Sequence, residues 1–169
     1  EYRRQRQMCI RDRTKPTKKN TLFLLKNYQL VITFLGTGTS QGIPIIGSNH
    51  PVCLSDNIKD KRLRSSICII HNDIDILIDC GPDFRQQAIR AKLKKVDAVL
   101  FTHEHSDHTA GLDDLRPFFF RQGDIPIYAE KRVIEALKIR FNYIFKKEIF
   151  FVFTVLPFFF FLDVLDVGN

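Results

Sequence analysis

The chain has 169 residues, which fits one domain with a substantial core. Its net charge of +7 lies in residues 1–30, which hold nine Lys or Arg against two acidic residues. The other 139 residues carry 17 charges of each sign, which removes the argument for a basic face on the domain. Nucleic acid is therefore not expected as a partner. Four scattered cysteines exclude a disulfide framework and favour a reducing, cytoplasmic location.

Residues 1–28 form a basic leader without apolar periodicity, which we expect to be non-native or disordered, with a targeting arm as the alternative. The domain is expected over residues 29–145. It opens with a short buried strand at residues 31–35, followed by a tight loop whose turns are favoured by glycine. The loop glycines are Gly36, Gly38 and Gly42.

Two apolar, β-branched runs at residues 65–70 and 74–78 are separated by polar turn residues, which predicts a β-hairpin. Asp79 follows the second strand directly. A helix is expected over residues 83–93 because apolar positions recur there at spacings of four and three.

Residues 96–101 predict another buried strand, and the sequence HEHSDH begins at residue 103, one residue beyond it. Four of these six side chains can bind a metal ion, namely His103, His105, Asp107 and His108. Alternation at the strand end places His103 and His105 on one side, whereas Asp107 and His108 begin a helix and point about 100° apart. One short segment can therefore serve two neighbouring metal ions.

After this motif we expect a helix over 109–120 broken near Pro117, a strand at 127–129 and an amphipathic helix over 130–145. The stretch 149–162 is uncharged and rich in Phe, but Pro157 interrupts it, and a membrane span needs roughly 20 apolar residues. We therefore expect no membrane partner. Residues 146–169 are predicted to be a non-native tail, with a buried strand pair or an aggregation-prone edge as alternatives.

The HEHSDH motif after an apolar strand, LIDCG at residues 77–81 and GTGTSQGIP at residues 36–44 resemble the metallo-β-lactamase-fold hydrolases. The glycine-rich opening is most similar to the phosphoribosyl cyclic phosphate phosphodiesterase branch, and ribonuclease Z is a close relative of that branch. The resemblance covers about residues 29–145. It implies an α/β fold in which this chain supplies the N-terminal half of an αββα sandwich, truncated to a mixed sheet with flanking helices.

The resemblance also implies metal-dependent hydrolysis of a small, cyclic phosphodiester by a metal-activated hydroxide, with two Zn²⁺ ions, or Mn²⁺, in a complete site. By this resemblance, His103 and His105 bind the first ion. Asp107 and His108 bind the second, with Asp107 as the catalytic carboxylate. Asp79 matches an aspartate that orients the histidine-bearing loop by hydrogen bonds.

Residues 47–53 match a region that carries accessory-zinc cysteines in this family. Here only His50 and Cys53 are good ligands, because Ser48 binds zinc poorly, and we favour a surface loop.

The family's remaining ligands follow the motif, yet none of the five histidines lies beyond His108, and Asp163 and Asp166 lie in the Phe-rich tail. We therefore expect an incomplete, inactive site. Two alternatives stay open, a ribonuclease Z-like tRNA 3′-processing endonuclease and a non-catalytic, truncated metal-binding chain. Association as a homodimer also stays open.

Overall fold

The computed structural model describes residues 30–145 and the backbone of residues 155–157. The predicted leader, and the predicted tail apart from residues 155–157, lie outside the described residues. Among the helices described, none is long and apolar enough to cross a membrane.

The architecture is one mixed sheet of six strands that follow each other in chain order. Strands β1, β2 and β3 pair antiparallel, whereas β3 to β6 run parallel. The strands are β1 Leu30–Gly36, β2 Ser66–His71, β3 Ile74–Ile78, β4 Ala98–Leu100, β5 Ile127–Ala129 and β6 Val155–Pro157. The α-helices are α1 Pro51–Leu54, α2 Phe84–Ala91, α3 Ser106–Thr109, α4 Arg116–Gln122, α5 Lys131–Arg140 and α6 Asn142–Phe145, and short 3₁₀ turns lie at Ile58–Asp60 and Leu112–Leu115. This mixed sheet with flanking helices confirms the predicted fold class.

The predicted hairpin is confirmed as β2 and β3. Its two turn residues, Asn72 and Asp73, have φ angles of +49° and +65°, the left-handed conformation that tight hairpin turns require and that Asn and Asp tolerate. The predicted helix is confirmed as α2, with Phe84 and Ala88 buried. It ends where Lys92 adopts a left-handed φ of +55°.

Strand β1 differs from the prediction because it is not a buried strand. Ile32 and Phe34 are 52% and 64% exposed, and the residues buried in this strand are Leu35 and Gly36. Among the described strands, β1 is an outermost one and pairs with β2 alone, so it has fewer neighbours to cover its side chains. Strand β4, in contrast, is buried at every position, as expected for a parallel strand with both faces covered.

The region after the metal motif also differs in detail. The expected helix over 109–120 is replaced by a 3₁₀ turn and by α4, and Pro117 lies in the first turn of α4 instead of breaking a helix. The first turn of a helix accepts proline, because the backbone N–H groups there have no partner within the helix. The helix expected over 130–145 is divided into α5 and α6, and its apolar face is buried as predicted, at Val133, Leu137, Phe141 and Ile144.

Residues 155–157 extend the sheet as β6, in parallel register with β5. The non-native origin of residues 146–169 stays a prediction.

The sheet brings the polar loops together at one end of its strands. Gly36 at the end of β1 pairs with Ser66 at the start of β2, and Ile78 at the end of β3 pairs with Leu100 at the end of β4. Ile78 also pairs with β2 one residue beyond Ser66. The glycine-rich loop, Asp79 and the HEHSDH motif therefore all lie beyond the same ends of the strands.

Candidate metal centre

The loop that follows β4 brings three metal-binding side chains together. One donor atom each from His103, Asp107 and His108 lies within 4.8 Å of the other two. The ring centroids of His103 and His108 are 4.0 Å apart. All three residues are partly buried, so a cation bound between them would be partly shielded from solvent.

His105 lies beside this group without joining it. Its ring centroid is 4.7 Å from that of His103, and the two rings meet edge to face. His105 is also the residue that precedes α3, where its extended backbone begins the helix. The imidazoles of the motif thus lie close together, but the tight group joins His103 to Asp107 and His108 and leaves His105 as a neighbour.

Asp79 connects the end of β3 to this loop through both carboxylate oxygens. Oδ1 accepts the backbone N–H of Thr102 at 2.8 Å, and Oδ2 accepts the Thr102 hydroxyl at 2.8 Å. Oδ2 also lies 2.7 Å from Nδ1 of His108. Because an ionised carboxylate only accepts hydrogen bonds, Nδ1 of His108 donates to Asp79, which leaves Nε2 as the ring nitrogen that a metal ion would bind.

The other ring nitrogen of His108 faces a carboxylate of the loop itself. Nε2 of His108 lies 3.2 Å from Oδ2 of Asp107. Asp79 itself is buried and has a φ of +60°, a conformation that costs a non-glycine residue about 1 kcal/mol or more. The three hydrogen bonds that the Asp79 carboxylate accepts offset this strain.

Gly81 permits the close approach of the metal loop, a role that the sequence did not reveal. A Cβ atom at this position would lie 2.0 Å from the carbonyl oxygen of Asp107. The neighbouring Cys80 donates its N–H to the carbonyl of His108 at 2.7 Å. The segment after β3 therefore packs directly against the backbone of the ligand-bearing loop.

Glu104, the remaining acidic residue of the motif, is not one of the three converging donors. A hydrogen bond from its own backbone N–H, together with the charge of Arg132, holds the pKa of its carboxyl below the usual range. Its carboxylate pairs with Arg132 at 2.5 Å. Glu104 is thus engaged as an anion by α5.

The two residues considered for an accessory zinc lie in the β1–β2 connection. Nδ1 of His50 accepts the N–H of Val52 at 3.3 Å, and Sγ of Cys53 accepts the N–H of Ile45 at 3.4 Å, which lowers the pKa of the thiol. Both side chains line a largely apolar cavity of about 680 Å³. Within the described residues, the one group of three or more converging donors is that of the HEHSDH loop, so the accessory zinc stays a prediction.

The donor set of the loop fits a divalent transition metal. Two imidazole nitrogens and one carboxylate oxygen converge, which is the ligand chemistry of zinc and manganese sites in proteins. The hydrogen bond that Nδ1 of His108 donates to Asp79 is the contact that metal-binding histidines usually make through their second nitrogen. The residues present therefore fit the ion that the resemblance implies.

Comparisons with known proteins agree with this fold. The model of the β-lactamase superfamily domain matches residues 75–157, which reach from β3 to β6 and beyond the expected boundary at residue 145. A crystal structure of a diphosphatase from the PhnP family superimposes with a TM-score of 0.67 and 40% identity, covering 76% of this chain and 50% of that one.

Two curated relatives are similar over shorter shares of their own length. An octanoyltransferase of Porphyromonas gingivalis is 48% identical over 114 residues, and a ribonuclease Z of Bradyrhizobium diazoefficiens is 36% identical over 86 residues. These alignments cover 67% and 50% of this chain, but only 23% of either relative. The shared sheet, the matching domain model and the HEHSDH loop show that this chain belongs to the metallo-β-lactamase superfamily.

Proposed function

We propose that this chain carries the metal-binding loop of a metal-dependent hydrolase that acts on phosphodiester or diphosphate bonds. The ligands are His103, His105, Asp107 and His108, and the ion is Zn²⁺, with Mn²⁺ as the alternative. The observation that supports this proposal most strongly is the convergence of His103, Asp107 and His108 within 4.8 Å, with Asp79 holding the far nitrogen of His108.

A divalent cation in this position would polarise a phosphoryl oxygen and lower the pKa of a water molecule to about 7. The protein's own part is to orient the donors. Asp79 keeps His108 in the tautomer whose Nε2 faces the site, and it also fixes the start of the loop through Thr102. Asp107, the proposed catalytic carboxylate, can accept a proton at Oδ2, the atom that lies beside Nε2 of His108.

A basic cavity lies at the same end of the strands as the metal loop, and it supports an anionic substrate. It has a volume of about 350 Å³, and three of its five lining residues are the cations Lys59, Lys61 and Arg62. Arg62 donates to the hydroxyl of Thr37, the residue that follows β1, at 2.9 Å. Similarity to a diphosphatase of the PhnP family supports a small phosphate compound as the substrate, and a cyclic phosphodiester is our specific proposal.

The same cavity favours a ribonuclease Z-like function as the second candidate. Thr37 follows β1 and Thr102 follows β4, and these strands are three inter-strand spacings apart. At about 4.8 Å per spacing, the distance between the two strands is about 15 Å. A substrate that contacts both the cavity and the metal loop would be longer than a small cyclic phosphate. Identity of 36% to a ribonuclease Z agrees with this alternative.

Titration of the metal-free chain with Zn²⁺, followed by calorimetry, tests the proposal. We expect one ion per chain, because the loop offers four donors whereas two ions need more, and we expect no hydrolysis of bis-p-nitrophenyl phosphate. His103→Ala and His108→Ala should abolish binding, whereas His50→Ala should not change it.

Two results would count against this proposal. A wild-type chain that takes up no zinc would refute the metal site. Hydrolysis that is lost in His105→Ala would refute the expectation that the site is incomplete. A protein that contains this chain and a complete site should cleave a cyclic phosphodiester if the first candidate is correct, and a tRNA precursor if the second is.

Cellular location and association are proposals of the same kind. A cytoplasmic location suits Cys53, Cys68 and Cys80, which are free thiols here, because that compartment keeps thiols reduced. The exposed apolar side chains of β1 support the homodimer. Light scattering of the wild type and of Phe34→Lys measures whether this strand joins two copies.

A further inference from the structure

Two arginines of α5 contact the metal loop. Arg140 donates from one nitrogen, Nη1, to the backbone carbonyl oxygen of Glu104 and to the hydroxyl oxygen of Thr109, both at 2.9 Å. Arg132 donates instead to the side-chain carboxylate of Glu104. The two arginines therefore hold the loop through different atoms of the same residue.

Thr109 extends the contact of Arg140 to a second carbonyl of the loop. Its side chain is fully buried, and its hydroxyl donates to the carbonyl oxygen of His105 at 2.9 Å. A hydroxyl has one proton to donate, so the hydrogen bond from Arg140 occupies an acceptor position and leaves that proton for His105. The carbonyls of Glu104 and His105, which lie on the two sides of the His105 Cα atom, are thus both anchored.

We propose that Arg140 is a positioning residue of the metal site. By fixing the two peptide groups that flank His105, it directs the imidazole of the one loop histidine that lies outside the three-donor group. This inference rests on the proposed function, since it assumes that the loop binds a metal ion.

The ion pair of Arg132 has a different character. The side chains of Arg132 and Glu104 are 59% and 32% exposed, and Arg132 also pairs with Glu130 at 3.0 Å. Exposed ion pairs of this kind contribute little, because water and salt screen them. Removing the ion pair leaves the Glu104 carbonyl and its bond to Arg140 in place, which makes Arg132→Ala and Glu104→Ala matched controls.

Titration of the metal-free chain with Co²⁺ measures this effect, because the visible absorption of the bound ion reports its ligands and geometry. Arg140→Ala should bind Co²⁺ and Zn²⁺ about 10- to 100-fold more weakly, the usual effect of losing a group that orients ligands, and should alter the absorption spectrum. Arg140→Lys should restore part of the affinity, because an ammonium group can donate to the same oxygens. Arg132→Ala and Glu104→Ala should bind within about threefold of the wild type.

Hydrogen exchange of the metal-free chain gives a second measurement that needs no bound ion. Arg140→Ala should speed exchange at the amides of His108 and Ala110, whose hydrogen bonds to His105 and Ser106 close α3, and Arg132→Ala should not. Unchanged exchange and unchanged affinity in Arg140→Ala would overturn the inference. Equal losses in all three alanine variants would also overturn it, whereas a wild-type chain that binds no metal would refute the proposed function instead.

Discussion

Asp79→Asn gives a direct test of how the loop is held. The variant keeps one oxygen, which can still accept the backbone N–H of Thr102, and Asn tolerates the φ of +60°. The second oxygen becomes an amide NH₂, which cannot accept from Nδ1 of His108 or from the Thr102 hydroxyl. The substitution therefore removes two acceptor contacts while the volume of the side chain stays almost the same.

The expected loss follows from these contacts. A hydrogen bond to a charged group contributes about 1.5 to 3 kcal/mol, and the new amide also faces two donors, so we expect the free energy of unfolding to fall by about 2 to 4 kcal/mol. Without its acceptor, His108 is free to adopt the other tautomer and to rotate, and zinc affinity should fall about 10- to 100-fold. Urea unfolding followed by circular dichroism gives the first quantity, and calorimetric zinc titration gives the second.

Asp83→Asn is the matched control. The carboxylate of Asp83 accepts the backbone N–H and a guanidinium N–H of Arg64, each at 2.8 Å, and so holds a segment other than the metal loop. This control should lose stability but keep its zinc affinity. If Asp79→Asn loses stability and binds zinc as tightly as the wild type, the argument that Asp79 orients His108 is wrong.

Three further outcomes are expected. Gly81→Ala should lower stability by about 1 to 3 kcal/mol and weaken zinc binding, because its Cβ would displace the carbonyl of Asp107; normal binding with normal urea unfolding would contradict the close packing. Burial raises the pKa of Tyr143 to about 12, so the stability that its protonated hydroxyl contributes is complete below about pH 10, the ordinary pKa of tyrosine, and is lost as the pH rises towards 12. The urea midpoint of Tyr143→Phe should therefore fall less over this range than that of the wild type. Equal falls in the two proteins would refute the raised pKa. Cys53, whose pKa is lowered, should react with iodoacetamide in the native chain, whereas buried Cys80 should react only after unfolding, as peptide mass spectrometry can show.

The local patterns in this sequence predicted much of the fold because they depend on neighbours along the chain. Two apolar, β-branched runs and the polar turn at His71 to Asp73 identified the β2–β3 hairpin. The helical spacing of Val133 and Leu137 identified the buried face of α5. The exposure of β1 was missed, because an apolar run looks the same at the edge and in the centre of a sheet.

The sequence by itself determined which side chains can bind a metal ion and that they follow a core strand, because ligand chemistry and the HEHSDH spacing are properties of adjacent residues. Only the tertiary structure decided which donors converge. His103 joins Asp107 and His108, Asp79 approaches from a neighbouring strand, and Arg140 anchors the loop from 36 residues away in the chain. These contacts depend on the parallel pairing of β3 with β4 and on the packing of α5 against the loop, and such long-range geometry leaves no regular pattern in the sequence.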